Sequence, residues 1–256
     1  MFGIFVVCKL TNKEIDYYTD KFYDKLTKLK DNVVQQGYNM CEKLGLHDNK
    51  NIYEAIDELL YDKYNIHNMT LLEMYELTKI EYTAVTMCMN TRKAIYLNYK
   101  SYPDLHVGKA VQMSSAVPFF FIQVKWNNMI FADGGVVNNM PIDYYDYDNG
   151  KFNDETLGIH FLSSEPDKYK CDTVLSMLEG IENAQIINNE QQSIQTYTLR
   201  HIIEINVGNI DAFNFDLSEK EKSYLLNNGY NSVIMFFEKN KNIQRSWNDW
   251  FKSWIW

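Results

Sequence analysis

Ser114-Ser115-Ala116-Val117-Pro118-Phe119-Phe120 and, shortly after it, Ala132-Asp133-Gly134-Gly135-Val136-Val137-Asn138-Asn139-Met140-Pro141 are the stretches on which the reading of this chain turns. The first is the end of a helix of small residues, Ala110 to Ala116, stopped by Pro118 and followed by aromatic residues. Between the two blocks, Phe119 to Val124 and Met129 to Ala132 read as a pair of short apolar strands joined at Trp126-Asn127-Asn128. Asp133 therefore stands at the end of a strand. Behind it, two adjacent glycines allow a positive φ or a close approach to other backbone. A carboxylate on a tight loop at a strand end is where α/β enzymes carry reactive groups. Asp-Gly by itself is an ordinary turn signal, so the dipeptide alone decides nothing.

Working outward, Tyr82 to Met89 and Ala94 to Leu97 flank Asn90-Thr91-Arg92-Lys93 and predict strand, turn and strand, followed by a short helix from Val107 to Ser115. Between Asp16 and Ile80, apolar residues recur at three and four, as in Ile52, Ile56, Leu59 and Leu60, and predict a mostly helical region broken at Gly37, Gly45 and Asn65. The apolar run Phe2 to Leu10 reads as a helix already under way at the first residue, and Thr11-Asn12-Lys13-Glu14 as a capping box that opens the next. Thr70 with Glu73, and Ser218 with Glu221, repeat that signal. Thr156 to Leu162 and His201 to Val207 predict buried strands, and Asp172 to Tyr197 and Ser218 to Lys239 predict helices. Helices first, then strands interleaved with helices, point to an α/β layered domain.

The totals narrow the function classes. A chain of 256 residues that is 46% hydrophobic and 15% aromatic can bury a sizeable core. Its net charge of -9, with 25 scattered basic residues, argues against a nucleic-acid surface and for a neutral or lipidic partner. Cys8, Cys41, Cys88 and Cys171 lie far apart without metal or disulfide spacing. His47, His67, His106, His160 and His201 form no pair at helical spacing, so no metal is expected. Neither a signal peptide nor a spanning segment is visible, which predicts a cytoplasmic or peripheral membrane location.

In their order and length, the small-residue helix ending at Pro118, the hairpin and the Asp133-Gly134-Gly135 loop with Asn138, Asn139 and Pro141 closely resemble the second catalytic block of the patatin family of lipid acyl hydrolases. The hairpin Tyr82 to Tyr96 is similar to the one that precedes the block in that family, although Arg92 stands where a glycine is usual. Ile202 to Val207, Phe213 to Ser218 and the helix through Gly229-Tyr230 resemble the family's closing strand and helix. The resemblance spans residues 1 to 240, dense from 80 to 141 and loose from 16 to 80. It implies a three-layer α/β/α fold with a mixed, mainly parallel central sheet. It also implies hydrolysis of fatty acyl esters, phospholipids or acylglycerols, by a Ser-Asp dyad with no metal or organic cofactor. Asp133 matches the dyad aspartate, with Gly134 and Gly135 supporting the motif; substrate-binding residues are not assigned.

The same resemblance exposes a gap. The family's nucleophile lies in a Gly-x-Ser-x-Gly elbow, and none of the 11 glycines here has serine two positions later. No Gly-x-Gly occurs either. Phe2 to Leu10 resembles the helix that directly follows the nucleophile in the family. The expectation is therefore a patatin-like domain over 1-240 truncated before its first strands, oxyanion turn and serine, and inactive alone. Residues 241-256 form a Trp-rich amphipathic tail, with Ile243, Trp247, Trp250, Phe251 and Trp254 on one face, read as a closing helix or as a membrane contact. Ser114 and Ser115 lack the glycines that would expose a nucleophile and read as small helix residues. The alternative reading is a non-catalytic lipid- or protein-binding pseudoenzyme that keeps the fold, and a third is completion of the site by a separate N-terminal fragment. The nucleotides upstream of the first codon would separate these readings.

Overall fold

The structure, a computed structural model, describes residues 2-27, 33-147, 151-153, 155-163, 171-196, 201-210, 214 and 216-240. It is a mixed α/β protein, with about half of the described residues helical and the strands in small sheets. In chain order the elements are α1 (Phe2–Val7), α2 (Asn12–Thr27), α3 (Val33–Lys43), β1 (Gly45–His47), α4 (Lys50–Tyr64), α5 (Leu71–Thr78), β2 (Ala84–Cys88), β3 (Lys93–Leu97) and α6 (Val107–Ser114). Then follow β4 (Phe119–Phe121), β5 (Val124–Trp126), β6 (Met129–Asp133), α7 (Gly135–Asn138), β7 (Leu157–Ser163), α8 (Val174–Thr196), β8 (His201–Gly208) and α9 (Glu219–Lys239). The chain forms two compact units, one of Met1–Asn139 with Cys171–Glu190 and one of Met140–Lys170 with Gln191–Trp256. The Trp-rich tail, residues 241-256, lies outside the described residues, as does Phe213.

All three capping boxes form. Glu14 Oε2 accepts from the Thr11 amide at 2.7 Å while Thr11 Oγ1 accepts from the Glu14 amide. Thr70 with Glu73 opens α5, and Ser218 with Glu221 opens α9, by the same reciprocal bonds. Each satisfies amides that the first turn of a helix leaves without intrahelical partners. Asn65 ends α4 in the left-handed conformation, which its short polar side chain tolerates. Gly37, expected as a break, instead lies inside α3. Gly is unfavourable in a helix, but tertiary context readily outweighs the roughly 1 kcal/mol involved.

The core of the first unit is built on the predicted helical stripe. Ile52, Ile56, Leu59 and Leu60 of α4 are buried, as are Leu71 and Met74 of α5. Helix α4 packs on α6, whose Val107, Ala110, Val111 and Met113 are also buried. Gln112 of α6 donates to Asn49 Oδ1 at 2.9 Å, and Asn49 Nδ2 donates back to the Gln112 carbonyl. That reciprocal pair satisfies two buried amides, which unpartnered would each be costly.

The largest sheet has the order β3-β2-β6-β5 and is antiparallel at every pairing. A single mainly parallel central sheet is not what the described strands build. Two of the connections here are hairpins, and a hairpin allows only antiparallel neighbours. The β2–β3 turn holds Arg92 at φ 58, so the place where a glycine is usual does take the left-handed conformation. The β5–β6 turn holds Asn127 at φ 48 and Asn128 at φ 59, between the paired Trp126 and Met129. Two residues with positive φ are the two-residue turn whose twist suits a hairpin.

Parallel pairing appears in two smaller sheets, β1 with β4 and β7 with β8. Strand β1 has no sequence expectation behind it, and Phe119 to Val124, expected as one strand of a hairpin, is divided. Phe119 takes φ 64, and the Phe120 amide donates to the Pro118 carbonyl at 2.7 Å, a tight turn of the strained hand. The turn aims β4 at β1, and the chain then passes through Ile122 and Gln123 before β5 joins the other sheet. Gly45 is needed in β1 because a Cβ there would stand 2.1 Å from the Phe121 carbonyl oxygen. The strand is set by a partner more than seventy residues away in sequence. In the second unit, α9 packs along β8.

Candidate active site

Strand β6 delivers Asp133 to the end of the four-stranded sheet, where its partner across the ladder is Thr86 of β2. The Asp133 amide donates to the Ala116 carbonyl at 2.8 Å, just beyond the end of α6. One residue earlier, the Thr86 hydroxyl donates to the Ala132 carbonyl at 2.7 Å and also lies 3.2 Å from the Met113 carbonyl of α6. Sheet and helix are thus joined at the point where the carboxylate leaves the strand.

The two glycines act through space and not through handedness. Gly134 has φ -70, an ordinary value for any residue. A Cβ on it, however, would stand 2.3 Å from the Val85 carbonyl oxygen and 3.0 Å from the Thr86 amide nitrogen. The loop lies directly on the β2 backbone, and no side chain fits between them. A Cβ on Gly135 would stand 2.6 Å from Asn139 Oδ1 and 3.0 Å from Asp133 Oδ1. Its absence leaves room for the carboxylate to fold back and accept the Gly135 amide at 2.6 Å.

Burial dominates the electrostatics of Asp133. Removal from water pushes its carboxyl up to about 6, against the opposing pull of the Gly135 amide, which stabilises the charged form. The residue is half-buried, so part of it stays in contact with solvent. A carboxyl that titrates near neutrality is a stronger base than an exposed one, which suits proton abstraction from a hydroxyl.

The residues around the loop support it. Asn138 Nδ2 donates to the Tyr96 hydroxyl of β3 at 2.9 Å, and Asn189 Nδ2 of α8 donates to the Val136 carbonyl at 3.1 Å. Ser115 Oγ donates back to the Val111 carbonyl of its own helix at 2.8 Å. Among the described residues, neither Ser114 nor Ser115 is hydrogen-bonded to Asp133. The histidines fall on separate elements: His67 pairs with Asp57 at 2.8 Å, His106 lies 3.2 Å from the Tyr53 hydroxyl, and His160 is buried in β7. Among the described residues no group of three His, Cys, Asp or Glu side chains could hold a metal ion.

Thr86 and the Ala116 carbonyl are what sequence reasoning missed. A signal for Thr86 existed: Ala84, Thr86 and Cys88 occupy the buried positions of the alternating pattern, and a polar residue at such a position has to find a partner. The Ala116 carbonyl carries no side-chain signal at all.

A carboxylate of raised pKa, seated on a double-glycine loop at the end of a strand in a mixed α/β protein, is a candidate for acid-base chemistry. The family model described as patatin-like phospholipase matches residues 1–146, and the chain belongs to that family. Among curated relatives, it is 27% identical over 205 residues to Uncharacterized protein R571 of Acanthamoeba polyphaga mimivirus, covering 77% of this chain and 66% of that protein. It is also 27% identical over 124 residues to Probable lipid hydrolase 463L of Invertebrate iridescent virus 6, covering 47% of this chain and 43% of that protein. The chain thus spans less than two thirds of the length of either. Among solved structures, VipD from Legionella pneumophila aligns over 89% of this chain and 46% of that one, at 16% identity and a TM-score of 0.47, a likeness too loose to bear on the site. No helix among the described residues is long and apolar enough to cross a membrane.

Proposed function

We propose that this chain carries the carboxylate half of a lipid acyl hydrolase site, with Asp133 as the base of a Ser-Asp dyad and Gly134 and Gly135 as the residues that let the loop form. The observation that carries the reading is the placement of Asp133: buried enough to titrate near 6, and fixed at the end of β6, in a member of the patatin-like phospholipase family. The substrate class is a fatty acyl ester of a lipid, reached without metal or organic cofactor. In this mechanism Asp133 would take the proton of a serine hydroxyl as that oxygen attacks the ester carbonyl. Gly-x-Ser-x-Gly does not occur in these 256 residues, so no serine here is set in an elbow to be activated.

The reading therefore includes inactivity of the 256-residue chain by itself. Residues 1-240 would be a patatin-like domain whose parallel sheet is completed by strands that also bring the oxyanion turn and the nucleophile. Hydrolysis of a fluorogenic fatty acyl ester by the purified chain tests it. We expect no turnover above background. Turnover abolished by Asp133→Ala would refute the inactivity and uphold Asp133, whereas turnover untouched by Asp133→Ala would refute the role of Asp133.

A further inference from the structure

Resting on the reading of Asp133 as the dyad base, we propose that Thr86 is a positioning residue for its carboxylate, acting through the peptide group that joins Ala132 to Asp133. That peptide is held at both ends. Its carbonyl accepts the Thr86 hydroxyl at 2.7 Å, and its N–H donates to the Ala116 carbonyl at 2.8 Å. The β2–β6 ladder stops at the pair Thr86 and Asp133, so no further rung beyond that point steadies the strand. With the Thr86 bond removed that peptide plane can rock, and rocking it swings the Cα–Cβ bond of the next residue. Productive geometry tolerates only about 0.5 Å or 10-20° of such movement.

Thr86 suits this task better than its neighbours in type and place. It is fully buried, with 0% of its surface exposed, and sits directly across the ladder from Asp133. Its branched Cβ restricts the rotamer, so the hydroxyl is aimed before any bond forms. The same hydroxyl lies 3.2 Å from the Met113 carbonyl in the last turn of α6, which also accepts the Ala116 amide at 3.4 Å. One side chain on β2 thereby lies between the end of α6 and the end of β6. On the far side of Asp133, Gly134 rests on Val85, the neighbour of Thr86 in β2. The backbone on either side of Asp133 thus lies against neighbouring residues of one strand, Thr86 before it and Val85 after it.

The test is a carbon-detected NMR titration of the Asp133 carboxyl in the full chain, with the Gly135 amide resonance read in parallel and urea unfolding recorded separately. We expect Thr86→Ser, which keeps the hydroxyl, to titrate with the wild type. We expect Thr86→Val, which keeps the shape and removes the hydroxyl, to titrate about one pH unit lower as the carboxylate turns toward water. The Gly135 amide should move with it as the bond to Asp133 Oδ1 is lost. Loss of stability alone would not produce that pattern in a folded variant. A high wild-type midpoint that Thr86→Val leaves unchanged, with the Gly135 amide unmoved, overturns the role of Thr86 and leaves the reading of Asp133 standing. A wild-type midpoint in the ordinary carboxylate range overturns the buried base itself, and the Thr86 proposal with it. Should Thr86→Val not fold, Thr86→Cys replaces it: a midpoint below that of Thr86→Ser upholds the proposal, and equal midpoints overturn it.

Discussion

The two ends of β6 solve opposite problems with different residues. At its start, Asn127 and Asn128 turn the chain with φ 48 and φ 59, a demand of handedness that two asparagines meet although glycine would meet it more easily. At its end, Gly134 has φ -70 and meets no such demand; it is glycine because the Val85 carbonyl occupies the place of its side chain. A turn can be relieved locally, since only its own backbone is involved. A close approach cannot, because the obstacle belongs to another strand. The hairpin end is therefore expected to tolerate substitution better than the Asp133 end.

The comparison would break first at Gly134. Gly134→Ala should lower the unfolding free energy by about 3 kcal/mol in urea denaturation, because a backbone carbonyl 2.3 Å from the new Cβ has little room to yield. A loss below about 1 kcal/mol would show that the loop can lift off β2.

Asp133 itself gives the next effect, of opposite sign. Its carboxyl titrates near 6 in the fold against about 3.9 in the unfolded chain, so the ionised form is penalised by folding. Stability contributed by this group is greatest below about pH 4 and falls as pH rises through about 6. Asp133→Asn keeps an acceptor for the Gly135 amide and removes the charge. It should be more stable than wild type by about 2 kcal/mol near pH 7, a figure reduced for the part of the side chain that stays solvated. The two proteins should converge near pH 4, as followed by thermal unfolding across pH. Under the proposed role of Asp133, this opposition to folding is a cost of function.

The smallest change is expected at the other end. Asn128→Ala should cost about 1 kcal/mol, since alanine resists the left-handed conformation, and Asn128→Gly should be close to neutral. If Asn128→Ala proved as damaging as Gly134→Ala, the two ends of β6 would not differ in kind.

Much of this was legible in the chain. The capping boxes at Thr11, Thr70 and Ser218 follow from residues three apart, and the buried stripe Ile52, Ile56, Leu59, Leu60 from helical spacing. The hairpin through Asn127-Asn128 and the strand that ends at Asp133 follow from short patterns as well. What failed depended on distant partners. Strand β1 forms because β4 runs beside it, and Phe119 to Val124 divides because Phe119 turns β4 toward that partner. Gly37, where the sequence predicts a break, lies inside α3 without any such partner beside it among the described residues.

The sequence alone determined the family resemblance, through the order of residues from Ser114 to Pro141, the place of Asp133 within that order, and the lack of a Gly-x-Ser-x-Gly elbow in the 256 residues. All three are properties of residue type and spacing. Only the tertiary structure decided that Gly134 answers to Val85, that burial raises the Asp133 carboxyl, and that Thr86 and Ala116 hold the peptide leading into it. Those depend on groups brought together in space while standing 17 to 49 residues apart along the chain, a relation that local spacing does not encode.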